Sequence, residues 1–170
     1  MAPNSLGVIR KRANLSDETR IIVVGFGGIQ GVGRPKSLPK IKNTVWLTKQ
    51  SDQATRPDIH SLSDLGVQFY EAISDPDLVV TKPGYGTIVE AACQGTRVLL
   101  QERPDWLETE IVKFWLNEVT SFASISAAAM EAGDIGDAVQ RLLERSLPTS
   151  LPAPSGADEA AAIIKDLARN

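Results

Sequence analysis

One cysteine and one histidine in 170 residues leave little room for disulfide or metal chemistry. Cys93 has no mate, so no internal disulfide can form, and a reducing, cytoplasmic setting is expected. It falls in an Ala-rich stretch that reads as a helix, where packing is its expected role. His60 has no cysteine or aspartate at metal spacing and is expected at the surface, so no metal is implied. Cationic charge is also short. Eighteen Lys and Arg against 21 Asp and Glu give a net charge of -3, without the basic footprint of a nucleic-acid binder. No apolar run approaches the roughly 20 residues of a spanning helix. The opening Met1-Ala2-Pro3-Asn4-Ser5 lacks the apolar core of a secretory signal. With 42% hydrophobic residues, a chain of this length is expected to build one globular core.

Glycine is plentiful where it counts. The β-branched run Ile21-Ile22-Val23-Val24 reads as a buried strand, and Gly25, Gly27, Gly28, Gly31 and Gly33 follow it directly. Five glycines in nine residues cost chain entropy unless the backbone has to be bare. A second apolar run, Asp77-Leu78-Val79-Val80, leads into Thr81-Lys82-Pro83-Gly84-Tyr85-Gly86-Thr87 and then an Ala-rich helix over 88–94. A strand, a glycine turn and a helix start make an anion site, because the first helical N–H groups lack partners and carry partial positive charge. Lys82 adds a full charge, and Glu90 could accept hydrogen bonds from sugar hydroxyls. A nucleoside diphosphate would use all of these groups. A structural reading stays open beside it: Thr87-Ile88-Val89-Glu90 fits a capping box, with Glu90 reaching back to the Thr87 N–H.

Two familiar phosphate motifs are not matched. A dinucleotide fingerprint needs glycines at positions one, three and six, and counting from Gly25 the sixth is Gln30. It also needs an acidic residue about twenty positions on, yet the second strand, 44–48, ends in Lys49-Gln50. No Gly-Lys-Ser or Gly-Lys-Thr follows the first strand, so a P-loop is absent as well.

The stretch Val24-Gly25-Phe26-Gly27-Gly28, the segment from Asp77 to Glu90, and Gly95-Thr96-Arg97-Val98-Leu99-Leu100 together resemble the C-terminal, donor-binding domain of GT-B glycosyltransferases. The similarity is greatest to the MurG-like group that uses UDP-sugars, and to glycosyltransferase-like domains found beside sugar kinases. The resemblance implies a Rossmann-like α/β fold, a doubly wound parallel sheet flanked by helices. It implies that Gly27 and Gly28 approach the donor phosphates, and that Gly84, Tyr85, Gly86 and Thr87, with Lys82, hold the diphosphate. Glu90 would bind the ribose. Arg103 and Glu108, in the loop 101–108, would contact the donor sugar or its phosphate. Many members of the group carry His where Lys82 stands and Gln near Glu108, which leaves the donor sugar open. No catalytic residue and no cofactor are carried over. The general base of such enzymes usually comes from an N-terminal acceptor domain, so the chain is expected to be half of a longer protein, or a donor-binding subunit beside a separate acceptor subunit. Two-subunit N-acetylglucosaminyltransferases of lipid-linked oligosaccharide assembly are the precedent. The complete enzyme would be a hexosyltransferase and the isolated chain inactive; the alternative is a non-catalytic module that binds nucleotide-sugar or a protein partner.

The rest of the chain alternates in the way such a fold requires. Residues 1–18 read as a linker-like start and 34–42 as a short helix or loop. A polar loop is expected over 50–63, a short strand over 66–69 and a short helix over 70–74. A helix over 107–118 should carry Ile111, Phe114 and Trp115 on an apolar face. A last strand over 121–125 precedes helices over 127–132 and 134–145, a proline-rich linker over 147–156 and a terminal helix over 157–168.

Overall fold

The computed structural model describes residues 5–27, 33–49 and 56–169. Six parallel strands form one sheet: β1 (Arg20–Gly25), β2 (Thr44–Thr48), β3 (Ile59–Ser61), β4 (Leu78–Thr81), β5 (Arg97–Gln101) and β6 (Phe122–Ile125). Their order is β3-β2-β1-β4-β5-β6. The chain therefore steps outward from β1 to β3, returns across β1, and steps outward the other way from β4. This is the α/β, Rossmann-like, doubly wound architecture that the alternation of elements implied.

Strand side chains point alternately to the two faces, so an unbroken apolar run serves two cores at once. Ile21 and Val23 pack on one face with Val45, Val79 and Leu100, beneath α1 (Ser5–Arg12), α2 (Phe69–Ala72), α3 (Tyr85–Cys93) and α4 (Thr109–Val119). Ile22 and Val24 pack on the other face with Trp46, Val80 and Leu99, beneath α5 (Ala127–Ala132) and α6 (Gly136–Glu144). The indole of the fully buried Trp46 donates to the Pro39 carbonyl at 3.0 Å, which removes the cost of burying its N–H. The terminal helix α7 (Gly156–Leu167) buries none of its residues.

Several local expectations change. The third strand is 59–61, inside the stretch expected to be a polar loop, and 66–69 forms no strand. Ile-His-Ser is too short to show a period-two pattern, and its pairing of Ile59 with Trp46 comes from the neighbouring strand. Gly66 turns the chain at φ +60°, after which Gln68 caps α2 by a capping box in which the Glu71 carboxylate accepts from the Gln68 N–H at 2.7 Å. His60 is accordingly half-buried in β3 rather than at the surface, and its Nε2 has no hydrogen-bond partner among the described residues. Residues 34–42 take the loop form of the two expected for them. They are tied down by the Lys36 N–H to the Glu131 carbonyl, 3.1 Å, and by Arg56, which donates to the Leu38 carbonyl at 2.6 Å. Arg56 also forks onto Asp58, and that pairing holds the Asp58 carboxyl below its ordinary range. The supposed linker-like start contains α1, whose Ile9 is fully buried. In α4, Val112 and Leu116 face the core, while Ile111 and Phe114 point to solvent.

Candidate functional site

In an open parallel sheet the two strands at which the winding reverses leave a crevice beyond their carboxyl ends, and ligands bind there. Here those strands are β1 and β4, paired with Gly25 opposite Thr81. Both glycine turns singled out in the sequence leave from this one point. The strand ends are locked: the buried Thr81 hydroxyl donates to the Gly25 carbonyl at 2.6 Å. Gly25 is required sterically, since a Cβ there would lie 2.2 Å from Cζ of Phe69. Gly27 takes φ +53° with open space where a side chain would stand. Gly28 and the following glycine Gly31 lie outside the described residues.

Across the gap, α3 starts earlier than its apolar pattern suggested. Gly84, extended at φ -147° and ψ 113°, is the cap, and no side chain accepts from the first turn. The first intrahelical bond runs from the Ile88 N–H to the Gly84 carbonyl at 3.1 Å. The N–H groups of Tyr85, Gly86 and Thr87 precede it and have no acceptor within the helix. A capping box on Thr87 is thereby overturned, because Thr87 is already the third helical residue. Tyr85 and Gly86 are exposed and Thr87 is half-buried. Pro83 is buried and sets the turn, while Lys82 is half-buried and its ammonium has no hydrogen-bond or ion-pair partner among the described residues. Glu90 stands exposed one turn beyond Gly86, on the same side of the helix.

The loop after β5 is placed one strand from the crevice and is more self-contained. The Arg103 guanidinium forks onto Asp105 at 3.1 and 3.0 Å and stacks over Trp106, 5.5 Å from the ring centroid. That hydrogen-bonded pairing holds the Asp105 carboxyl below the ordinary range. Glu108 is exposed at the position preceding α4 and caps nothing. The structure thus brings together Gly27, Lys82, Gly84, Tyr85, Gly86 and Thr87, with Glu90 on the adjoining face. Arg103 and Glu108 stand off to one side.

One residue of the crevice carried no motif. Gln101, at the end of β5 and almost fully buried, donates from Nε2 to the Gly33 carbonyl at 2.8 Å and so anchors the far end of the glycine loop. A Cβ on Gly33 would lie 2.5 Å from Gln101 Oε1, so this glycine is needed for the contact. A polar residue closing the run Arg-Val-Leu-Leu is the only trace of it in the sequence. A cavity of about 490 Å³ opens at the opposite end of the sheet, lined by Glu18, Arg20, Lys42, Thr44 and Glu144. No glycine turn or uncapped helix start is part of its lining among the described residues, and it lies at the amino ends of β1 and β2, so we place the candidate site at the crevice.

Compared with models of known families and with curated proteins, the chain matches none. No helix among the described residues is long and apolar enough to cross a membrane.

Proposed function

We propose that this chain is a nucleotide-sugar-binding domain of glycosyltransferase type, with a UDP-sugar as donor. The observation that carries the reading is the α3 start: three N–H groups without a helical acceptor, no side-chain cap and a Lys82 ammonium with no partner among the described residues, set beside the open Gly27 at the sheet's switch point. The diphosphate would lie on Tyr85, Gly86, Thr87 and Lys82, approached from the other side by Gly27 and Gly28. Glu90 would accept from the ribose hydroxyls, and Arg103 and Glu108 would border the sugar. Transfer would then require an acceptor-binding half, in the same polypeptide or as a separate subunit, to supply the general base. The intramolecular pairing of Arg103 with Asp105 favours a second reading, a module that holds nucleotide-sugar without transferring it, because the loop's cation already has a carboxylate.

Titration calorimetry with UDP, GDP and NAD tests the proposal. Binding of UDP, weak because only one wall of the cleft is present, is the expected result. No heat with any uridine nucleotide at millimolar concentration would refute it.

A further inference from the structure

Two buried side chains hold the glycine segment that leaves β1. Thr81, at the end of β4, donates from its hydroxyl to the Gly25 carbonyl at 2.6 Å. Gln101, at the end of β5 and 1% exposed, donates from Nε2 to the Gly33 carbonyl at 2.8 Å. The strands β1, β4 and β5 are neighbours in that order. The chain thus leaves from the end of β1 and is held again at the end of β5. Between these two held glycines lies the end of β4, from which Lys82 and the α3 start follow.

Packing alone does not call for a carboxamide here. The last four residues of β5, Val98 to Gln101, are buried, and an apolar side chain would fill the place with no polar group to satisfy. The segment after Gly33 does not depend on Gln101 either. The Lys36 N–H reaches the Glu131 carbonyl at 3.1 Å, Arg56 donates to the Leu38 carbonyl at 2.6 Å, and the Trp46 indole donates to the Pro39 carbonyl at 3.0 Å. What Gln101 holds is Gly33 itself, whose φ of +81° and missing Cβ permit the contact. We propose, on the nucleotide-binding reading of the crevice, that Gln101 is a positioning residue for the diphosphate. It fixes Gly33 on the β5 side of Lys82 and the α3 start, as Thr81 fixes the Gly25 end on the β1 side. Gln101 touches no part of the nucleotide and acts through the Gly33 backbone.

UDP titration calorimetry on the parent, Gln101→Leu and Gln101→Glu chains tests this, with circular dichroism on each. Gln101→Leu should keep the parent's spectrum, because the ties of Lys36, Leu38 and Pro39 remain. It should weaken UDP about tenfold, since the Gly33 carbonyl loses its donor. Gln101→Glu keeps the shape, but an ionised carboxylate cannot donate to a carbonyl, whereas its protonated form can. Burial and the facing carbonyl both favour the neutral form and push that carboxyl up. The deficit of Gln101→Glu against the parent should therefore be full at high pH and shrink as pH falls through the raised value. The deficit of Gln101→Leu should stay constant over the same range. A packing role predicts no such profile. Equal UDP affinity in the parent and Gln101→Leu, or a Gln101→Glu deficit that ignores pH, overturns the proposal and leaves the nucleotide reading standing. A parent that binds no uridine nucleotide removes both. Should Gln101→Leu not fold, Gly33→Ala reads the same contact from its other partner, because its Cβ would lie 2.5 Å from Gln101 Oε1. Unchanged UDP affinity in Gly33→Ala overturns the proposal as well.

Discussion

Two roles competed for Glu90: a cap reaching back to Thr87, or a carboxylate for ligand hydroxyls. With Gly84 as the cap and Glu90 in solvent one turn beyond Gly86, the first role has no geometry. Glu90→Gln should therefore leave stability within about 0.5 kcal/mol of the parent, as for most surface changes. It should nonetheless weaken UDP by about tenfold or more, since a charge-assisted hydrogen bond contributes on the order of 1.5–3 kcal/mol. A 2′,3′-dideoxy analogue, which has no hydroxyls for the carboxylate to accept from, should bind both proteins alike. Denaturant unfolding and calorimetry on the same preparations decide it; equal losses for the two ligands would remove Glu90 from the ribose site. Gln101 and Phe69 make a different point at this scale. Their importance comes from what they touch, the Gly33 carbonyl and the Gly25 Cα, and neither contact has a sequence spacing.

Among the elements, α3 is the one whose start carries the functional claim. A Ser, Thr, Asp or Asn side chain is the preferred filling of a helix's first turn. In α5 Ser126 does so, accepting from the Ala129 N–H at 3.2 Å. The glycine at the same place in α3 leaves those donors for something else. Gly84 has ordinary extended backbone angles, and a Cβ there would have its nearest neighbour, the Lys82 carbonyl oxygen, at 3.8 Å. Gly84→Asp is therefore sterically allowed and should supply the missing cap. It should raise stability by a few tenths of a kcal/mol, and weaken UDP strongly by placing a carboxylate where the diphosphate would lie. Thermal unfolding with and without UDP reads both effects. Tighter binding in the variant would show that no anion sits at this helix start. The helix shifts relative to its sequence expectation for a related reason: Tyr85 and Gly86 are outside the apolar pattern, so only the backbone geometry at Gly84 shows where the helix begins.

At the scale of the whole molecule, the sheet places the proposed donor-binding groups at one point but, among the described residues, gathers no acid–base pair there. His60 lies in β3, separated from β1 by β2, and no carboxylate orients its ring among the described residues. The chain alone should therefore show no sugar transfer with any donor, because transfer needs a base within hydrogen-bond reach of the acceptor hydroxyl. Slow hydrolysis of a UDP-sugar is compatible with this, since water needs no acceptor site. Transfer at ordinary enzymatic rates by the purified chain would disprove it and direct attention to the loop over 101–108.

The long, strongly patterned segments were legible directly. Runs such as Ile21–Val24 and Leu78–Val80 must be buried on both faces wherever they fold, so a parallel sheet covered by helices followed from composition along the chain. The bare, positive-φ Gly27 was legible too, because repeated glycine is costly unless the backbone has to be bare. What the sequence did not determine was everything set by a neighbour. The edge strand Ile59–Ser61 exists because β2 offers it a register, and Ile111 and Phe114 face solvent because Val112 and Leu116 take the core side of the helix. Most of all, that Gly27 and Lys82 share one crevice follows from the strand order. Residues fifty-five apart meet only because the chain reverses its winding between β1 and β4, a long-range choice that no local pattern encodes.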